Sequence, residues 1–132
     1  LCNHTVTHDV SLPKRDEDAI VDEIVGAQKA IHAVVPDAEI THYRAPGGNF
    51  AANVNAAAEA HGLTPLAWSI DTRDWQQPGA AVIHGRVADG LHPGAVILLH
   101  DGGGDRSGTV AALPDIISTV REQGYEFVVP TR

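Results

Sequence analysis

The hydrophobic positions of this chain follow two alternating periods from residue 14 onward. Segment 14–35, KRDEDAIVDEIVGAQKAIHAVV, places Ile20, Ile24, Ala27 and Ile31 at spacings of four, three and four. That spacing is one face of an amphipathic helix. Its acidic residues come early, where the helix dipole favours negative charge, and Pro36 ends it. ITHYR (40–44) then reads as a strand, AANVNAAAEAHG (51–62) as a helix closed by a glycine, and LTPLAWSI (63–70) as an apolar strand. A helix over roughly 79–90 follows, then the apolar run AVILL (95–99), the helix TVAALPDIISTVREQ and a last strand YEFVV (125–129). Short apolar strands alternating with helices predict an α/β fold with a mostly parallel sheet or barrel. No repeat, low-complexity tract or linker interrupts the order, so residues 1–132 read as one domain.

The unusual residues stand just after the strands: RAPGGN after 40–44, DTRDW after 63–70 and HDGGGDR after 95–99. In parallel α/β folds, sites form at the carboxyl ends of strands, so these three clusters are expected to converge. A fourth feature opens the chain. LCNHTVTH sets His4 and His8 four apart, and on a helical turn such positions share a face and can aim two imidazoles at one metal ion. The spacing alone equally allows one histidine half buried and the other in solvent.

Composition narrows the classes. With 132 residues, 43% of them hydrophobic and 20% charged, the chain can bury a core and is expected to be globular. A net charge of −8 argues against a nucleic-acid partner or an anionic membrane surface, both of which call for a basic face. Cys2 is the single cysteine, which excludes an intrachain disulfide and leaves the redox compartment open. No apolar run approaches the roughly 18 residues of a membrane span, and no leader pattern opens the chain. Methionine is absent, so Leu1 is not expected to be a translation start and the chain is expected to be a piece of something longer.

Four motifs, H-T-V-T-H (4–8), R-A-P-G-G-N (44–49), D-T-R-D-W (71–75) and L-L-H-D (98–101), span essentially the whole chain. In this order they resemble four of the five motifs of the polysaccharide deacetylases, the NodB-homology group or carbohydrate esterase family 4. The resemblance implies a distorted (β/α) barrel. It also implies metal-dependent removal of acetyl groups from N-acetylglucosamine polymers (chitin, peptidoglycan) or from acetylated xylan. His4 and His8 would be two of three protein ligands of a divalent metal, zinc first, with cobalt or nickel as alternatives. Thr5 would steady their loop, and the metal would polarise the acetyl carbonyl and acidify a water.

By the same resemblance Arg44 orients the catalytic base, a task that suits a two-pronged guanidinium. A surface ion pair is its plainer reading. The Gly47 N–H would serve as an oxyanion donor. Many family members have tyrosine there, and PGG read alone is a turn. His100 would be the general acid that protonates the departing amine or alcohol, and Asp74 would hydrogen-bond it and raise its pKa. Trp75 and Leu98 would wall the pocket for the acetyl methyl, with core packing as the alternative for both.

GGGD (102–105) lacks the Lys-Ser/Thr of a phosphate cradle and reads as a flexible loop. His32, His61, His84 and His92 are expected in solvent, while His42 shares a strand face with Arg44. The family's first motif, T-F-D-D-G, belongs upstream of His4 and supplies the base and the third metal ligand; no Asp-Asp pair occurs here. The barrel is therefore expected to be incomplete at its N-terminal strands, and these residues alone are expected to be inactive and marginally stable. Three functions stay open: a deacetylase completed by an upstream segment, a pseudoenzyme that binds glycan or metal, and a hydrolase of small ureides on the same fold. The substrate class alone suggests an extracellular or cell-envelope location, and oligomeric state is open.

Overall fold

The structure is a computed structural model and describes residues 1–131. The chain forms two compact units, residues 1–67 with Thr131, and residues 68–130.

In the first unit three short parallel strands, β1 (Cys2–Asn3), β2 (His42–Tyr43) and β3 (Thr64–Pro65), lie in that order. Cys2 stands opposite His42, and His42 opposite Thr64. Helix α1 (Glu17–Val34) joins β1 to β2, and α2 (Ala52–Ala60) joins β2 to β3. The α1 helix begins later than residue 14 because the Asp16 carboxylate accepts from the Ala19 amide and caps it. Lys14 belongs instead to a 3-10 turn, Leu12–Lys14. The expected apolar face is the buried one: Ile20, Ile24 and Ala27 point inward, with Ile31 partly buried. Ile20 and Ile24 pack with Leu12, Ile40, Tyr43, Val54, Ala58 and Leu63 into one core. Gly62, at φ +78, ends α2 in the left-handed conformation that the closing glycine predicted.

In the second unit β4 (Ile70–Asp71) and β5 (Ile97–Leu98) pair in parallel, with Ile70 opposite Ile97 and Asp71 opposite Leu98. Helices α3 (Ala80–Gly90) and α4 (Ser107–Glu122) cover them. The core is Ile70, Ile83, Val87, Ala112, Ile116 and Val120. The α4 residues among these recur at the helical period, which is why one stripe of that helix is buried.

Two expected strands differ. Segment 63–70 is two strands, because its backbone donors change partner along the way. The Leu66 amide bonds to the Tyr43 carbonyl, whereas those of Ser69 and Ile70 bond to Val96. Residues 125–129 form no strand. Their β-branched character supplies propensity, but a strand also needs a ladder partner. None pairs with them among the described residues, and Val128 and Val129 are 80% and 83% exposed. The α/β character and the parallel strands stand as expected.

Candidate active site

The residues singled out in the sequence fall into two groups, one in each unit. In the first, His4 and His8 do not occupy a helical turn. They lie in the irregular segment after β1, where Thr5 (φ +64) and His8 (φ +58) both take the left-handed conformation. Such a conformation costs a non-glycine residue about 1–2 kcal/mol. A dense set of hydrogen bonds offsets that cost. Buried Asn3 spans the base of the loop: its Nδ2 donates to the Ile24 carbonyl at 2.8 Å and its Oδ1 accepts the Thr5 amide at 3.0 Å. The Thr5 hydroxyl accepts the His8 amide at 3.1 Å. From α1, Glu23 Oε2 accepts the Val6 and Thr7 amides, both at 2.9 Å, while Oε1 accepts the Thr7 hydroxyl at 2.8 Å. Burial pushes the Glu23 carboxyl up, but the Thr7, Val6 and Thr5 hydrogen bonds outweigh it and hold it below its ordinary value.

This loop brings the two imidazoles edge to face, their centroids 4.9 Å apart. His4 Nδ1 lies 2.7 Å from the Arg44 carbonyl oxygen. A carbonyl only accepts, so Nδ1 carries the hydrogen, which leaves Nε2 as the ring nitrogen able to ligate a metal. Two imidazoles sharing one tetrahedral zinc at its usual bond lengths would set their centroids about 5 Å apart. The centroid spacing of the pair is that of an edge-to-face ring contact and also matches the spacing two ligands of one ion would have. Among the described residues no group of three His, Cys, Asp or Glu side chains completes a site for such an ion. Asp9, the nearest acid in sequence, is committed elsewhere, accepting from the Ser11 amide and from Arg15 Nε, both at 2.8 Å.

Arg44 serves this loop through its backbone, while its side chain reaches Leu66 beyond β3. Its carbonyl orients His4, its amide donates to Asn3 at 2.8 Å, and its Nε donates to the Leu66 carbonyl at 3.3 Å. Gly47 is the exposed middle of a turn, Pro46–Gly48, at φ +62. A Cβ there would stand 3.1 Å from Val10 Cγ1, so both backbone and space favour glycine where relatives of the motif carry a side chain. His42 is buried, its Nδ1 bonded to the Thr41 hydroxyl at 2.8 Å.

In the second unit His100 follows β5, and Asp74 opens the turn Asp74–Gln76 that follows β4. They meet at 2.6 Å, His100 Nδ1 to Asp74 Oδ1. Asp74 Oδ2 accepts two more donors, the His100 amide at 2.7 Å and the Thr109 hydroxyl at 3.0 Å. The Asp74 side chain is fully enclosed, whereas that of His100 is 35% exposed. Burial pushes the Asp74 carboxyl up; the His100 ring, the His100 amide and Thr109 together overcome it, so the group sits below its ordinary value and is ionised at neutral pH. An ionised carboxylate only accepts, so Nδ1 holds a hydrogen and Nε2 is the end where a proton is gained or given up.

Trp75 is 53% exposed on the same turn, while Leu98 is buried in β5 with its carbonyl accepting the Thr72 hydroxyl at 2.8 Å. The GGGD segment is not a loose loop. Arg106 folds back on it, donating to the carbonyls of Gly102 at 2.9 Å, Gly103 at 3.0 Å and Asp105 at 3.2 Å. Of the four helix-associated histidines, His32 and His92 are exposed as expected, whereas His61 and His84 are partly buried. His84 bonds Thr119, and His92 bonds Ser69. His61 and His32 bond the carbonyls of Ala57 and Ala38.

Asn3, Glu23, Thr109 and Arg106 escaped the sequence reading. Two of them left a signal. Glu23 sits three residues after Ile20 and four before Ala27, and Thr109 three before Ala112; each is a polar residue on the apolar face of its helix. Such a residue needs a partner on the buried side, and each has one.

Comparison with known proteins places this geometry. The polysaccharide deacetylase family profile matches residues 1–66. Over 137 residues the chain is 36% identical to a chitooligosaccharide deacetylase of Bradyrhizobium sp. (strain ANU 289), an alignment covering 96% of this chain and 62% of that protein. It is 37% identical over 128 residues to a peptidoglycan-N-acetylglucosamine deacetylase of Bacillus cereus, covering 96% and 59%. Among solved structures, a wild-type CE4 family pseudoenzyme from Bacillus anthracis superposes with a TM-score of 0.86 at 31% identity, covering 94% of this chain and 42% of that one. The chain thus spans less than two thirds of the length of these relatives. It belongs to the polysaccharide deacetylase family, carbohydrate esterase family 4.

Proposed function

We propose that this chain is part of a metal-dependent hydrolase that removes acetyl groups from N-acetylglucosamine-containing polysaccharides, of the chitooligosaccharide or peptidoglycan class. The observation that carries the reading is the Asp74–His100 pair, a buried ionised carboxylate holding one ring nitrogen of a half-exposed histidine. That arrangement suits a general acid. When the tetrahedral adduct of water and acetyl group collapses and its C–N bond breaks, the proton on His100 Nε2 goes to the departing amine, leaving acetate and a free amino sugar. Asp74 stabilises the imidazolium before transfer and fixes which nitrogen faces outward.

The remaining roles follow the family's motifs. The Gly47 N–H would donate to the developing oxyanion. Trp75 and Leu98 would border the acetyl methyl, and the Arg44 guanidinium would orient the base. His4 and His8 would hold a divalent cation, with zinc as the first choice and cobalt or nickel as alternatives; such a cation polarises a carbonyl and lowers the pKa of a water. The base and third ligand are proposed to come from an aspartate pair on a segment outside these residues, which would also complete the distorted barrel. The polymeric substrate class suggests an extracellular or cell-envelope setting.

The test is acetate release from chitooligosaccharides and from N-acetylated peptidoglycan by a protein that includes the upstream coding segment. His100→Ala should lower turnover by roughly 10²–10⁴-fold while leaving metal content unchanged. Acetate release at the parental rate in this variant would remove His100 as the acid. Metal or glycan binding without acetate release from either polymer would favour the pseudoenzyme. Turnover confined to small ureides would favour the third reading.

A further inference from the structure

We infer that Glu23 is the positioning residue of the His4/His8 pair, holding the loop between them in the one shape that brings both rings to a common point. This rests on the reading of the two histidines as cation ligands and names the residue of this chain that pre-forms their site.

The loop has no helical or strand ladder to define it. Its two left-handed residues, Thr5 and His8, flank Val6 and Thr7, and those two amides point at one acceptor, Glu23 Oε2, at 2.9 Å each. The other oxygen takes the Thr7 hydroxyl at 2.8 Å. A single carboxylate thus binds the middle of the loop at three points while the histidines at its two ends stay turned toward each other, 4.9 Å apart. Approach to the helix is close on this side. A Cβ at Gly26, one turn after Glu23, would stand 2.9 Å from Val6 Cγ2, so glycine there lets the loop seat on α1. Asn3 and Arg44 fix where the loop leaves the sheet and which way His4 faces. Within the span, the Thr5 hydroxyl holds the His8 amide, and Glu23 ties the middle of the loop, Val6 and Thr7, to α1. An acidic side chain so near a cation site would ordinarily be read as a ligand. Here both oxygens are committed to loop donors, and its contribution is to hold the histidines ready.

The experiment uses the 132-residue chain with cobalt(II) and zinc(II) as probes, following cobalt absorption, zinc calorimetry and, without metal, the inter-ring proton contact of His4 and His8 by NMR. Glu23→Ala should weaken metal binding roughly 10–100-fold and abolish the inter-ring contact. Glu23→Gln, whose amide oxygen can still accept both loop amides, should restore most of each. Thr7→Val, removing only the hydroxyl, should fall between. Tight binding together with an intact ring contact in Glu23→Ala overturns the proposal, as does a Glu23→Gln variant no better than alanine. His4→Ala tests the underlying reading separately. If it binds cobalt as the parent does, the histidines are not the ligands, and the ring contact alone then decides whether Glu23 positions them.

Discussion

Asp74 binds His100 twice, through the ring Nδ1 at 2.6 Å and through the backbone amide at 2.7 Å, one contact to each carboxylate oxygen. The residue that orients the imidazole therefore also fixes the main chain from which the ring hangs. Two-point attachment leaves the ring little freedom about its first torsion and sets Nε2 at a constant position relative to the turn carrying Trp75.

Asp74→Asn separates these roles. The amide oxygen can keep one contact, but the negative charge that favours imidazolium is gone. In an active protein containing this chain, the high-pH limb of the rate–pH profile should move to lower pH, with folding retained. A profile that stays in place would show that Asp74 holds the backbone without tuning the acid.

Acid should weaken the second unit through the same residue. The folded Asp74 carboxyl titrates below its ordinary value of 3.8, so its stabilising contribution is fully present above that pH and is lost as pH falls through the folded value. Subtracting the Asp74→Asn unfolding free energy from the parental one should give a difference that shrinks as pH falls below about 4. A difference that stays unchanged or grows below about pH 4 would contradict the assignment.

Tyr43 offers a test in the first unit. Among the described residues its buried hydroxyl has no hydrogen-bond partner, and burial, helped by the negative fields of Cys2 and Glu23, pushes the phenol up to about 12. Tyr43→Phe keeps the ring in the core and removes only the unpaired oxygen. It should leave stability unchanged or raise it by up to about 1 kcal/mol, as read from denaturant unfolding. A loss of more than that would reveal a partner for the hydroxyl.

What could be read from the sequence follows the reach of each signal. The apolar stripe of α1 was legible because three of its positions, Ile20, Ile24 and Ala27, face one core at a fixed local period. Asp74 and His100 were legible only as members of ordered motifs; 26 residues separate them, and no local period encodes that contact. The expected strand at 125–129 failed for the converse reason. Its residues have strand propensity, but pairing depends on a neighbour that propensity does not supply. His4 and His8 show a coincidence of spacing. Their separation of four suits a helix, yet their proximity arises from an irregular loop held by Asn3, Thr5 and Glu23.

Arg106 ties itself by three donors to the carbonyls around three consecutive glycines. Glycines surrender more backbone freedom on ordering than other residues, so the glycines here lean on the Arg106 side chain to stay folded, while Asp105 accepts the Ser107 amide and hydroxyl at the segment's end. That has a consequence for proteolysis. Trypsin must pull an arginine out into its specificity pocket and straighten the backbone on either side. At Arg106 this would mean first dissolving the loop that its own guanidinium holds together. The bond after Arg106 should accordingly be cut late in limited digestion, despite its place in an exposed, glycine-rich stretch. Arg106→Lys, with one point charge in place of a branched donor, should turn the same bond into an early cut.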